Sequence, residues 1–329
     1  MCTSLTLPTP HDTNLFGRTL DLDDRFGESV TLTPRRYPFS FADCYPHTHH
    51  YALLGMAAVV NGYPLYAEAM NEKGLCMAGL RFAKNAVYAP RPEGGFLNLA
   101  PWELIPYLLG TCATVAEARA ALSDICVVDK PFSDTVGTAP LHWHIADADP
   151  SHGGLILETT VEGMRIYEDS PDGAGVLTND PPYPEQLAAL DSCRVQRGDT
   201  PGFPGDYSSP SRFIRAATLR RWAVERMGTD TASPADPPCS ADPACPTDPT
   251  SGAGNNPDVA RFFSLLAAVS PTPGAVMTPE GRCHRTLYTC CMDTAEGVYH
   301  WRQEGDTEVR AVAFAECDLF GDTVVSRKA

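Results

Sequence analysis

Nowhere in the 329-residue chain do about eighteen apolar residues run together, the minimum for a membrane-spanning helix. The greasiest stretch, 51–60 (YALLGMAAVV), is only strand length, so no membrane partner is expected. The amino end lacks the basic, apolar and small-residue succession of an export signal, and the expected location is the cytoplasm. Positive charge is also scarce. Lys and Arg total 25 against 41 Asp and Glu, a formal net charge of −16 that disfavours nucleic acid and anionic bilayers as partners. Paired Cys-x-x-Cys units are absent, so the twelve cysteines give no structural zinc spacing. Scattered through a long chain without an export signal, they are expected to be reduced thiols. No internal repeat occurs. What the chain does have is a 43% hydrophobic and 9% aromatic composition, enough for a sizeable core and incompatible with wholesale disorder.

The apolar periodicity sorts the chain into blocks. Met1-Cys2-Thr3-Ser4-Leu5-Thr6-Leu7 alternates with the period of a half-buried strand and stops at Pro8. Residues 16–21 and 30–33 read as further strands, and 65–70 with 75–82 flank Asn71-Glu72-Lys73-Gly74, a hairpin turn that places its glycine last. Helix is predicted over 101–109 and again from Thr114, where Thr114-Val115-Ala116-Glu117 is a capping-box pattern opening an Ala-rich run to Leu122. Strands return at 141–147 and 155–159, with Gly163 turning the chain into 165–167. A long helix is predicted from Ser211, as N-cap, to about Met227, although its apolar phase is unclear. Residues 228–256 are Pro, Asp, Ala, Ser, Thr and Gly and bury too little apolar surface to offset their ordering entropy, which predicts a flexible surface insertion. A third helix over 258–270 and strands over 286–301 and 309–314 follow. Strands, helices, strands, helices, strands: this order predicts an α+β multilayer sandwich formed by a single domain, 1–329.

Cys2 is the most informative residue. If Met1 is removed, Cys2 begins the chain, and its amine has an ordinary pKa of about 7.7–8 against about 10.4 for a lysine. Thiol and base then lie in one residue, the cysteine version of an N-terminal threonine nucleophile. Arg18 and Asp21 lie on the segment expected to pair with the first strand, where an arginine favours thiolate and a carboxylate orients the amine; the bland alternative is an exposed ion pair. Asn179, in Leu177-Thr178-Asn179-Asp180-Pro181, offers a side-chain amide as an oxyanion donor worth about 3 kcal/mol when well placed, although asparagine before Asp-Pro is also an ordinary turn residue. A reading of another class, a non-enzymatic metal-binding protein, rests on His47, His49 and His50; three histidines after Pro46 also suit a solvated loop. His142 and His144 share a strand face and read as packing residues.

Taken together, the pieces resemble the choloylglycine hydrolases, the bile salt hydrolases and penicillin V acylases among N-terminal nucleophile hydrolases. The resemblance is carried along nearly the whole chain by Met1-Cys2-Thr3, Phe16-Gly17-Arg18 with Asp21, Thr33-Pro34-Arg35, Tyr63-Pro64, Met70-Asn71-Glu72-Lys73-Gly74-Leu75, Glu103-Leu104-Ile105-Pro106, Leu141-His142-Trp143, Gly175-Val176-Leu177-Thr178-Asn179, Pro204-Gly205-Asp206 and Ser211-Arg212-Phe213. It implies a four-layer αββα sandwich, amide hydrolysis through a thioester, and no metal or cofactor. It also implies Cys2 as nucleophile, Arg18 and Asp21 supporting it, Asn179 as oxyanion donor and Arg212 bracing the site. The implied assembly is a homo-oligomer, dimer or tetramer.

Three departures stand out. After Ala78-Gly79-Leu80 the chain carries Arg81, where the family commonly has Asn or, in many penicillin acylases, Tyr; a backbone donor there survives the change while the pocket wall becomes cationic. The segment between Asn179 and Arg212 is shorter than the assembly loop of typical bile salt hydrolases, which leaves the oligomer and the glycine-versus-taurine preference open. The 228–256 insertion has no recognised counterpart. The runs 63–80 and 101–110 look most like the bile salt hydrolase branch, so the expected substrate is a conjugated bile salt, with penicillin V or an acyl-homoserine lactone as the alternatives.

Overall fold

The computed structural model describes residues 1–43, 48–193, 202–230, 256–278 and 280–328. The chain opens with the hairpin β1 (Cys2–Pro8) and β2 (Asn14–Leu22), then β3 (Glu28–Thr33). Strands β4 (Leu53–Val60), β5 (Tyr63–Asn71) and β6 (Cys76–Arg81) form a meander. Short β7 (Leu97–Leu99), helices α1 (Leu104–Thr111) and α2 (Val115–Leu122) and β8 (Ile125–Val127) lead to β9 (Leu141–Ala146), β10 (Gly154–Thr160) and β11 (Gly163–Asp169). Next come β12 (Val176–Leu177) and helices α3 (Tyr183–Ser192), α4 (Ser209–Asp230) and α5 (Pro257–Ala267). The closing strands are β13 (Arg285–Asp293), β14 (Val298–Gln303), β15 (Arg310–Ala313) and β16 (Val325–Lys328).

Two antiparallel sheets result. One has the order β12-β1-β2-β13-β14-β15, the other β11-β10-β9-β6-β5-β4-β3-β16, and β7 with β8 makes a small parallel pair. Alternation along the strands gives each sheet two apolar faces. Leu54 and Met56 of β4 join Leu5, Phe16, Leu20, Phe213 and Phe262 in a core that lies between the sheets and under α4 and α5. Leu53, Met77, Trp143 and Ile145 pack on the opposite face against Leu104, Leu108 and Leu122 of α1 and α2. The layers are therefore helix, sheet, sheet, helix, the αββα sandwich that the family resemblance implies.

Local chemistry explains most boundaries. Gly74 adopts φ +88°, and the Asn71 Oδ1 accepts the Lys73 and Leu75 N–H groups at 3.0 Å to close the β5–β6 turn. The Asn71 amide then donates to Leu109 and Cys112 carbonyls at 2.7 Å, satisfying the orphan end of α1. Thr114 caps α2 by accepting the Glu117 N–H, while the Glu117 carboxylate reaches Ala113 N rather than the cap residue itself. On α5, Val259, Phe262, Phe263 and Leu266 form one buried stripe.

Several expectations need correction. The 101–109 helix begins as a 3-10 turn over Pro101–Glu103. Helix α4 starts at Ser209, two residues before the expected cap; Ser208 takes that place and accepts the Ser211 N–H on its Oγ at 3.4 Å. The same helix runs on to Asp230, and Asn256 caps α5 with its Oδ1, so the expected insertion loses both ends; the rest of it, 231–255, lies outside the described residues. Helix α3 and strands β7, β8 and β16 were not foreseen: α3 follows two prolines, and the strands span three or four residues each. The unclear phase of α4 has a physical cause. Its buried side carries Arg212, Arg215 and Arg220 beside Phe213, Ala216 and Ala217. Among the described residues no helix is long and apolar enough to cross a membrane, and all nine cysteines there are free.

Gly17 lies where β2 passes β13, and a Cβ there would stand 2.1 Å from the Cys290 carbonyl oxygen, a rigid backbone atom. Gly17→Ala is expected to destabilise the protein by about 3 kcal/mol or to prevent folding; urea denaturation of the purified variant checks this.

Candidate active site

The β1–β2 register sets the site. Cys2 pairs with Leu20 and Ser4 with Arg18, so these side chains share the face turned to the second sheet, while Thr3, Thr19 and Asp21 face α4. Cys2 and Arg18 are both buried.

Arg18 enters a gap in the second sheet. Met56 pairs with Glu68 but Ala57 pairs with Tyr66, which leaves Ala67 as an extra residue in a β-bulge. The β5–β6 ladder runs from Met70–Cys76 to Glu68–Ala78. One step further, the Arg18 Nη1 donates to the Gly79 carbonyl at 2.6 Å and the Ala67 carbonyl at 3.4 Å, spanning the strands where their own pairing stops. Burial opposes the Arg18 charge, but Cys2, Tyr288 and Glu68 outweigh it and push its pKa up. The guanidinium is a fixed positive charge within electrostatic reach of the thiol.

On the other face Asn179 and Arg212 clasp Cys2. The Asn179 Oδ1 accepts from Cys2 N at 2.7 Å and from the Arg212 Nη2 at 2.8 Å, and its Nδ2 donates to the Arg81 carbonyl at 2.8 Å. Asn179 is fixed in turn: its N–H donates to the Ser209 Oγ at 2.9 Å and its carbonyl accepts the Gln186 Nε2 at 2.6 Å. Arg212, fully buried, donates through Nη1 to the Cys2 carbonyl and to the Thr3 Oγ1 at 2.6 Å, and through Nε to the Tyr207 carbonyl at 3.1 Å. Burial pushes the Arg212 pKa down, with Asp21 and Cys2 pulling the other way.

Asp21 meets the chain start through its backbone. Its backbone carbonyl accepts the Met1 amine and its N–H donates to the Met1 carbonyl at 2.9 Å. The carboxylate itself accepts the Thr286 and Thr19 hydroxyls at 2.7 and 3.1 Å. The Met1 amine has its pKa pushed below the ordinary value, by burial first, with Arg212 and Arg18 adding to the effect.

A cleft of about 720 Å³ opens at the start of the chain, with Met1, Arg81, Asn179, Arg212, Arg282 and His284 in its wall. Arg81 ends β6, is exposed, and its guanidinium makes no hydrogen bond or ion pair with the described residues. Phe82 N bonds the Pro140 carbonyl, which makes the neighbouring Arg81–Leu141 pair the non-hydrogen-bonded type and turns the Arg81 N–H and carbonyl away from β9. That carbonyl meets Asn179, so the N–H points to the same side of the strand. Arg282 is tied to Asp23 at 2.7 Å, and burial holds the His284 imidazole below its ordinary pKa.

The structure thus brings together all six residues singled out from the sequence: Cys2, Arg18, Asp21, Arg81, Asn179 and Arg212. Reading the sequence missed Lys84, Arg282 and His284, which reach the cleft from irregular segments without a periodic signal, and Glu68, a lone acid in an apolar strand. The histidine cluster gives no support to a metal reading. Both His50 nitrogens meet backbone carbonyls, His47 lies outside the described residues, and no metal-binding group of His, Cys, Asp or Glu occurs among those described. His142 holds the Thr178 carbonyl at 2.7 Å and Glu158 at 3.1 Å, beside Asn179 in sequence. Burial lowers the His144 pKa to about 3, and its Nδ1 meets the Ser4 hydroxyl at 2.9 Å, so it is a neutral packing residue.

Sheet order, helical layers and a chain start buried against the first sheet define the N-terminal nucleophile hydrolase fold. Comparison supports the same class: the family model for linear amide C–N hydrolases of the choloylglycine hydrolase family matches residues 2–235 and 249–326. The chain belongs to that family and is a linear amide C–N hydrolase. A bile salt hydrolase/transferase of Lactiplantibacillus plantarum is 34% identical across 95% of this chain and 92% of its own length. The C2A variant of the conjugated bile acid hydrolase from Clostridium perfringens superposes with a TM-score of 0.83 at 26% identity, covering 100% of this chain and 97% of that one. Penicillin V acylase from Agrobacterium tumefaciens shares the fold, with a TM-score of 0.73 at 22% identity over 99% and 90% of the two chains.

Arg212→Lys keeps the charge but not the planar fork, and three buried acceptors lose a donor. Turnover is expected to fall about tenfold or more, with a stability loss of about 2 kcal/mol; steady-state rates and urea denaturation read the two effects separately.

Proposed function

We propose that the protein hydrolyses the amide bond of glycine- or taurine-conjugated bile salts, with Cys2 as nucleophile once Met1 has been removed. The observation that carries this reading is the seat of the Cys2 nitrogen, 2.7 Å from the Asn179 Oδ1, on a residue whose thiol faces Arg18. Removal of Met1 turns that nitrogen into a free α-amine with a hydrogen-bond acceptor already in place. The amine takes the thiol proton directly or through one water, and the thiolate attacks the amide carbonyl. The second Asn179 Nδ2 proton and the Arg81 N–H supply oxyanion donors. The tetrahedral adduct collapses to a thioester as the α-ammonium returns its proton to the departing amine. Water, deprotonated by the same amine, attacks the thioester and releases the acyl acid and the thiol. Every proton is accounted for by the cysteine itself, and no metal or cofactor is required.

The choice of conjugated bile salts rests on relatives with that named activity aligned over almost the full chain. A glycine or taurine end is anionic, and the Arg81 guanidinium at the cleft, unpaired among the described residues, is a fitting partner for it.

Cys2→Ala is expected to abolish turnover while leaving thermal unfolding nearly unchanged. Intact mass of the active enzyme should show Met1 absent; full activity with Met1 retained, or in Cys2→Ala, would refute the mechanism. In a second test, Arg81→Asn should slow hydrolysis of glycine and taurine conjugates relative to a neutral amide of the same acyl group. The difference should shrink as salt rises. Equal effects on charged and neutral substrates would leave selectivity to shape, and faster cleavage of penicillin V than of glycocholate would assign the chain to the acylase branch.

A further inference from the structure

Glu68 is completely buried between the two sheets and takes no part in the chemistry above. It pairs with Met56 and is in phase with Met70, both in the core between the sheets, so it faces the first sheet. There its Oε2 accepts the Tyr288 hydroxyl and its Oε1 the Tyr299 hydroxyl, each at 2.8 Å, and the Cys290 thiol lies against the carboxylate as well. The Arg18 Nη1 stands 3.6 Å from Oε2. The same guanidinium acts on Cys2.

We propose that Glu68 is a positioning residue for the nucleophile: it holds Arg18 in the gap between β5 and β6 and sets how much of the guanidinium's charge acts on the Cys2 thiol. This deepens the reading of Cys2 as nucleophile and rests on it. In a dry interior a carboxylate beside a guanidinium cancels a large part of its field. An unopposed Arg18 would hold more thiolate, but a thiol of lower pKa is also a weaker nucleophile, so a partial balance serves the reaction. The charged groups that act on Cys2 are Arg18 from β2, Arg212 from α4 and the amine at the chain start; those that face Glu68 are Arg18, Tyr288, Cys290 and Tyr299. Arg18 is the member common to both sets. Burial pushes the Glu68 carboxyl above its ordinary pKa, with Arg18 and the two tyrosine hydroxyls pulling it down.

The test is the pH dependence of Cys2 alkylation by iodoacetamide in the mature enzyme, followed by mass spectrometry of the N-terminal peptide. Glu68→Gln keeps the shape and removes the charge. The alkylation midpoint is expected to fall by about one pH unit in Glu68→Gln, and the shift should shrink by about half or more when the same change is made in Arg18→Gln. If thermal unfolding shows that Glu68→Gln does not fold, Glu68→Asp decides: it keeps the charge but draws it back from Arg18, and a smaller fall is expected. An unmoved midpoint in the folded variant, or a shift of equal size without Arg18, would overturn the proposal. The alkylation readout needs no turnover, so an active Cys2→Ala enzyme would remove the nucleophile reading while the midpoints still report on Glu68.

Discussion

Two buried guanidinium groups, one on each face of the first sheet, fix where the chain begins, and the rest of the site follows from them. Arg18 and Arg212 are both almost completely excluded from water, a placement that costs several kcal/mol unless their donors are used. Both are anchored largely on backbone carbonyls, those of Ala67 and Gly79 for Arg18 and those of Cys2 and Tyr207 for Arg212. Carbonyls do not titrate, so these anchors hold at any pH the fold survives. Cys2 lies between the two charges, and the strand that carries it has little freedom to move.

How much of this was legible in the sequence varied with the physics of each part. The β5–β6 hairpin could be read because Asn71 and Gly74 write their turn locally, and the start of α2 could be read because Thr114 caps it. The order of strands and helices gave a multilayer α+β sandwich, and the four-layer order was legible only through the family resemblance. Helix α4 was readable as a helix but not as a face, since three of its buried residues are arginines, which a periodicity count places outside. The bulge defeated period-two reading in β5: the neighbours Ala67 and Glu68 both lie on the side between the sheets, while Tyr66 and Ala69 pack with the α1–α2 core, a change of phase that composition does not announce. Cys2, Arg18, Asp21, Asn179, Arg81 and Arg212 were singled out because family motifs surround them. Glu68 and His284 belong to no such motif, and only the fold brings them to the site.

Charge shows the same contrast between whole and part. The protein is acidic overall, at −16, yet Arg81, Lys84, Arg212 and Arg282 converge on one cleft against Asp23, Asp180 and Glu280. Two of these acids have partners, Asp23 in Arg282 and Asp180 in the Lys84 N–H and the Asn85 amide. Four cations against three acids make the cleft much less negative than the molecule as a whole, and clefts focus the field of the charges that line them.

The extra residue at Ala67 makes the architecture sensitive to counting rather than to chemistry. Any small side chain could occupy the position, since what matters there is a carbonyl freed from the ladder. Removing that residue would heal the sheet and take away an Arg18 acceptor while leaving Glu68 opposite Met56, all without touching Cys2, Asn179 or Arg212. In this protein the length of a strand is itself part of the active site.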